Sequence, residues 1–307
     1  MSQFPAEQSE TGEFERQDDA FRDGVEAAEA AKPGRFHLYV SLACPWAHRT
    51  LIVRKLLGLE TTVGVTVVDP VRDERGWAFR SGPGQSGDPV NGFSFLSEAY
   101  HRTDPEFSGR VTVPVLWDNE ARRIVNNSED DICRMFASDF VRSRPSERDL
   151  FPEALADEQE DLSRFVYEKI NNGVYRVGFA GSQKVYDRAV SELFEALDKL
   201  EARLAGQRFL FGRNMVETDL RLFCTLIRFD AVYHGHFKCN VRRIVDYPHL
   251  FGHLRDLYQH PAITETVNFD HIKRHYYMTH TDINPSRIVP LGPDLTRLRE
   301  PHGRGHL

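Results

Sequence analysis

The sequence predicts an α/β half followed by an all-α half, and three observations carry that prediction. Between about residues 35 and 141 the short elements run β-α-β and then β-β-α. A cysteine, Cys44, stands where the first helix begins, and Pro114 stands at the start of the third strand. From about Arg142 the residues Ser143, Pro145, Ser146 and Pro152 mark a linker, after which apolar residues recur at helical spacing.

Each element has a local reason. Residues 1–34 carry little periodicity and end on the turn signal Lys32-Pro33-Gly34, so they read as an N-terminal extension that drapes or is disordered. Phe36 to Ser41 is a short strand rich in aromatic and β-branched residues. Pro45 suits the first position of a helix, where no backbone N–H is needed, which puts Cys44 at the N-cap. That helix spaces Ile52, Val53, Leu56 and Leu57 for a core and stops at Gly58, a favourable left-handed cap; a strand follows at Thr61 to Val68.

Between Val71 and Arg110 lies a Gly-, Ser- and Pro-rich insertion carrying Trp77, Phe79, Phe93, Phe95 and Tyr100, expected to form one wall of a site. Strands near Val113–Trp117 and Arg123–Val125 precede a helix capped by Ser128 and running through Ile132, Met135 and Phe136. The order matches a thioredoxin-like domain over residues 35–141. A proline in a core strand gives up a ladder hydrogen bond, so Val113-Pro114 makes most sense as a cis bond turning the Val113 backbone towards a ligand. Residues 152–282 read as all-helical, with helices over Glu153–Asn171, Gln183–Ala205, Thr218–Tyr233, Pro248–Tyr258 and Asn268–His275; residues 283–307 form a tail.

Composition narrows the function. With 307 residues, 40% hydrophobic and 28% charged, the chain has material for two domains, and no apolar run approaches the roughly eighteen residues of a membrane span. The acidic start, with Glu10, Glu13, Glu15, Asp18 and Asp19, lacks the pattern of a secretory signal. A net charge of -7 disfavours nucleic acid and anionic membranes as partners, leaving small-molecule chemistry. Cys44, Cys133, Cys224 and Cys239 form no closely spaced pair, which argues for a reducing compartment, the cytoplasm.

Cys44 carries the chemistry. Unpaired N–H groups and the partial positive charge at a helix start favour thiolate over thiol. Ala47 occupies the place where a dithiol enzyme would carry its second cysteine, so a mixed disulfide on Cys44 has to wait for an external thiol. Cys133 and Cys224 fall inside helical patterns and read as small buried hydrophobes. Ser128 with Glu129 offers a hydroxyl, N–H groups and an acid at a second helix start, equally consistent with capping and with anion binding. Of the ten tyrosines only Tyr175 stands out, because Asn171-Asn172-Gly173 interrupts a helix just before it and aims it at an interdomain cleft. His234, His236 and Cys239 form a compact trio, but with no fourth ligand evident no metal is expected.

Several stretches together resemble the glutathionyl-hydroquinone reductases, the xi-class glutathione transferases: Cys44-Pro45-Trp46-Ala47-His48-Arg49, Gly109-Arg110-Val111-Thr112-Val113-Pro114, Ile170-Asn171-Asn172-Gly173-Val174-Tyr175, His236-Phe237-Lys238-Cys239 and Asn268 through Tyr276 with Ile283-Asn284-Pro285. The resemblance spans about residues 35 to 292. It implies a C-terminal helical glutathione-transferase domain, a homodimer, glutathione and quinol conjugates as partners, and no tightly bound cofactor. It further implies that Cys44 attacks the sulfur of a glutathionyl-hydroquinone and that a second glutathione resolves the mixed disulfide. By the same carry-over Tyr175 donates the proton, Tyr233 and Tyr276 stabilise the thiolate, and Trp77, Arg110, Val113, Ser128 and Glu129 hold glutathione.

Two departures from that pattern stand out. The turn before the second glutathione-binding helix usually reads Glu then Ser, whereas here it reads Ser128 then Glu129. Either the γ-glutamyl end is gripped differently or the natural thiol is another small thiol. The family's capping box begins with Ser or Thr three residues before Asp219; here that residue is Val216, leaving half the box. Two rival readings stand beside the first: an omega-like thioltransferase or dehydroascorbate reductase, and a non-catalytic transferase-fold binding protein.

Overall fold

The computed structural model describes residues 12–14, 16–142 and 148–307; the linker residues Ser143, Pro145 and Ser146 lie outside the described residues. The chain gathers into two compact units. One comprises Gln17–Asp149 with Thr266–His275, the other Leu150–Glu265 and Tyr276–Leu307 with the described residues up to Arg16.

The first unit is built on a four-stranded sheet in the order β2-β1-β3-β4, with β1 (Phe36–Val40), β2 (Val63–Val67), β3 (Val115–Asp118) and β4 (Arg123–Asn126). β1 pairs parallel with β2 and antiparallel with β3, and β3 pairs antiparallel with β4. All five residues of β1 are buried, as befits a central strand covered on both faces. Before it, a single helical turn, α1 (Ala27–Ala30), follows a segment joined to β4: Arg22 bridges Asn126, and the Asp23 N–H donates to the Val125 carbonyl (3.0 Å). Helix α2 (Pro45–Leu56) begins on Cys44 and ends before Gly58, whose φ of 67° matches the expected left-handed cap. The insertion is partly helical, with α3 (Ser97–Thr103), and α4 (Glu129–Ala137) packs against α2.

The second unit is helical. A 3-10 turn (Glu153–Leu155), α5 (Ala156–Phe165) and a π turn (Val166–Asn171) replace the single expected helix over Glu153–Asn171, and α6 (Gly173–Gly178) follows. The cause lies in Asn171, whose buried amide donates to the Arg221 carbonyl (3.1 Å) and the Thr225 hydroxyl (2.7 Å). The backbone there widens to an i→i−5 bond from Asn172 N–H to Tyr167 C=O. Helix α7 (Gln183–Leu204) buries Leu193, Leu197, Leu200 and Leu204 along one stripe. Helix α8 (Glu217–Arg228) is buried along its whole length and passes into a second π turn, Phe229–Tyr233. Half of its capping box is present: Asp219 accepts the Val216 N–H (3.0 Å), while valine has no acceptor to return the bond. α9 (Pro248–Tyr258), α10 (Pro261–Thr264) and α11 (Phe269–Thr279) complete the chain of helices, the last running one turn further than expected and including Tyr276. Among the described residues no helix is long and apolar enough to cross a membrane.

Candidate active site

The first unit holds Cys44. Its backbone is extended (φ −73°, ψ 123°), its carbonyl accepts the first helical bond from His48 N–H (2.9 Å), and Pro45 follows at the first helical position. The Val113-Pro114 bond is cis, and the Cys44 thiol donates to the Val113 carbonyl at 3.5 Å. Two motifs 69 residues apart in sequence thus meet at one sulfur, which is half-exposed while Cys133, Cys224 and Cys239 are buried. Arg110 lies half-buried three residues before Val113.

Ser128 sits at the N-cap of α4, but its side chain makes no cap bond, contrary to the expected capping role. Asn126 takes the Ser128 N–H instead (2.7 Å), and the acidic first turn of Glu129, Asp130 and Asp131 complements the positive end of the helix. Glu129 is buried against Arg49 of α2 (3.1 Å), a guanidinium that also binds Asp130. Trp77 is buried in the insertion, its indole stacked on His275 (5.1 Å between centroids, 18°) and covered by the Arg72 guanidinium at 5.2 Å. Arg49 and His275 escaped the sequence reading. Arg49 lies one turn after Cys44, where a buried cation can be recognised only once its carboxylate partners from another helix are known.

The second unit brings together the three tyrosines. The Tyr276 hydroxyl lies 2.6 Å from that of Tyr175 and 2.9 Å from that of Tyr233. Tyr233 and Tyr276 are fully buried and Tyr175 half-buried. Desolvation pushes the pKa of Tyr233 and of Tyr276 well above the ordinary tyrosine value, with Tyr175 adding to the rise in both and Arg228 opposing it. Both phenols therefore stay protonated at neutral pH, in a chain of hydroxyls whose half-buried end is Tyr175.

Rings fix these phenols. Phe237 stacks on Tyr233 (5.5 Å, 17°) and meets Tyr175 and Tyr276 edge-on, while Phe14 stacks on Tyr175 and Arg16 covers the Tyr175 ring at 5.3 Å. Phe237 can reach this place because residue 178 is glycine: a Cβ there would lie 2.3 Å from the Phe237 ring. The π turns end at Tyr233 and four residues before Tyr175, so both wide turns lead into the hydroxyl cluster. His236 and Cys239 belong to its surroundings, with His236 Nε2 3.2 Å from His280 Nδ1 and the Cys239 thiol directed at the Val174 carbonyl (3.8 Å).

Comparison with known proteins gives the same reading from a different direction. The glutathione S-transferase N-terminal domain profile matches residues 43–139 and the C-terminal domain profile residues 183–256. The chain is 49% identical to glutathionyl-hydroquinone reductase YqjG of Escherichia coli (strain K12), over 95% of this chain and 92% of that one. It is 45% identical to glutathionyl-hydroquinone reductase PcpF of Sphingobium chlorophenolicum, over 93% and 91%. The glutathione-bound structure of YqjG superposes with a TM-score of 0.90 over 93% of this chain and 96% of that one. The glutathione-S-transferase Xi of Phanerochaete chrysosporium superposes at 0.89 with 48% identity, over 91% and 97%. A thioredoxin-like half with a lone, accessible cysteine, a helical half with a tyrosine cluster, and near-half identity over almost the whole length place the chain in the glutathionyl-hydroquinone reductase family, the xi-class glutathione transferases.

Proposed function

We propose that this chain reduces glutathionyl-hydroquinones to hydroquinones at the expense of glutathione, through a mixed disulfide on Cys44. The observation that carries the proposal is the exposure of Cys44 at the start of α2, with Ala47 in place of a resolving cysteine and the three other cysteines buried. In the first step the Cys44 thiolate attacks the glutathionyl sulfur, the aryl carbon–sulfur bond breaks, and the departing aromatic carbon takes a proton. The aryl group leaves reduced, and Cys44 and glutathione share a disulfide. A second glutathione thiolate then attacks the glutathione sulfur, frees Cys44 and leaves as oxidised glutathione.

In this proposal Tyr175 supplies the proton and regains one from water or the incoming thiol at its half-buried end, while Tyr276, bonded in turn to Tyr233 and held protonated by burial, hydrogen-bonds to the Tyr175 oxygen. The thiolate-stabilising role of Tyr233 and Tyr276 uses the same property, since a protonated hydroxyl can donate to a charged sulfur. Trp77, Arg110 and Val113 hold the thiol cosubstrate. Ser128 keeps its hydroxyl for the ligand, and Glu129, oriented by Arg49, accepts the ammonium of the γ-glutamyl end. The enzyme works in the cytoplasm as a homodimer, a state that light scattering would check.

Intact-mass spectrometry after exposure to oxidised glutathione tests the proposal. The expected result is one glutathione-sized adduct, lost in Cys44→Ser and removed by fresh glutathione. An unmodified wild type that also fails to turn over a glutathionyl-hydroquinone would leave the binding-protein reading in its place, and turnover of dehydroascorbate alone would favour the omega-like one.

A further inference from the structure

The insertion that carries Trp77 is fastened by a helix far along the chain. Within α11, His271 and His275 stand four residues apart, the spacing that places two side chains on one face. His275 Nδ1 lies 2.6 Å from the Pro70 carbonyl and His271 Nε2 lies 2.7 Å from the Pro83 carbonyl. A carbonyl oxygen only accepts, so His275 carries its proton on Nδ1 and His271 on Nε2. The two acceptors bracket the loop, and Trp77 sits midway between them with its indole stacked on His275.

Two further contacts tighten this seat. Gly84 has φ of 75°, and a Cβ there would come within 3.0 Å of both Asn268 Nδ2 and His271 Nε2, so the loop backbone lies directly on the helix. Thr266, just ahead of α11, pairs its hydroxyl with His48 Nε2 (2.8 Å) in α2, the helix that begins on Cys44.

We propose that His271 and His275 are positioning residues that clamp both ends of the Pro70–Pro83 loop and so orient the Trp77 indole for the thiol cosubstrate. The inference rests on the reading of Trp77 as a thiol-binding residue. It gives the insertion a function: the loop carries a binding ring, and the histidine pair makes that ring rigid before the ligand arrives. Binding energy is then not spent on ordering the loop.

The tautomers supply the test, because asparagine can place an amide N–H near the Nδ1 position and glutamine near the Nε2 position. His275→Asn and His271→Gln should keep their bonds to the proline carbonyls, whereas His275→Gln and His271→Asn should lose them. In the losing pair, and in Gly84→Ala, glutathione binding measured by calorimetry should weaken about tenfold. The KM for glutathione should rise in parallel, with kcat at saturation falling by less than about threefold. Amide hydrogen exchange across residues 70–85 should quicken in those three variants and stay near wild type in the rescuing pair. Intact binding with unchanged loop exchange in every variant overturns the clamp alone. Loop exchange that follows the expected pattern while no form, wild type included, binds glutathione overturns the thiol reading and, with it, the ligand assigned to the clamp.

Discussion

The two units hold their reactive groups by opposite means. Around Cys44 the fixtures are polar and directional: a helix start, the Val113 carbonyl, and a buried Arg49 with its carboxylates. Around Tyr175, Tyr233 and Tyr276 they are aromatic, with Phe14 and Phe237 packed against phenols that meet one another both ring to ring and through their hydroxyls. The difference fits the roles proposed for the two groups. A nucleophile has to be charged and reachable, which calls for dipoles and partial exposure, whereas a proton donor has to stay neutral, which burial achieves directly.

Substitutions can break this comparison on either side. Cys44→Ser should cost on the order of 10³-fold or more in turnover with little change in urea unfolding, because the sulfur supplies the bond-forming step and not the packing. Tyr276→Phe should lower kcat on the order of 10²-fold and should also destabilise the fold by roughly 1–3 kcal/mol, since it leaves the hydroxyls of Tyr175 and Tyr233 without their shared partner. Equal stability losses in these two variants would remove the contrast between the units.

Titration separates the units more gently. Tyr233 and Tyr276 are raised above the unfolded value of 10.0, so their contribution to stability is complete below about pH 10 and is lost as pH climbs towards the folded values. Absorbance of ionised tyrosine should show both phenols silent until the protein unfolds. On the acid side burial lowers His37 in the first unit and His236 in the second to about 4, from 6.5. A histidine held neutral in the fold stabilises above pH 6.5 and loses that contribution as pH falls through about 4, at most about 3 kcal/mol each. Unfolding followed at pH 7 and pH 4.5 should show His37→Gln and His236→Gln each flattening that decline. The smallest effect is expected for Ser128→Ala, below about 0.5 kcal/mol in stability because the hydroxyl caps nothing, with a raised KM for glutathione as its only mark. A stability loss near 1 kcal/mol would restore Ser128 to a capping role.

Much of the first unit was legible because its signals are local. The strand of Phe36–Val40, the Pro45 start and the Gly58 stop each rest on residues within one or two turns of one another. The helices of the second unit were legible for the same reason, but their π turns were not, since Asn171 widens the helix only through partners on α8. The tyrosine cluster was named from resemblance to a family; apart from Tyr175, ten tyrosines in 307 residues give no local sign of which hydroxyls will meet. His275 passed unnoticed because its meaning depends on Pro70 and Trp77, roughly two hundred residues earlier.

By itself the sequence determined the order of elements and the placing of Cys44 at a helix start with alanine, not a second cysteine, three residues on. The order and the placing follow from local backbone preference. Only the tertiary structure decided that Glu129 would be spoken for by Arg49, that Ser128 would leave its hydroxyl uncapped, that three phenols would share one hydrogen-bonded chain, and that Thr266–His275 would pack with the N-terminal half. Hydrogen bonds and ring contacts of this kind depend on distances between groups far apart along the chain, and those distances exist only after the core has packed.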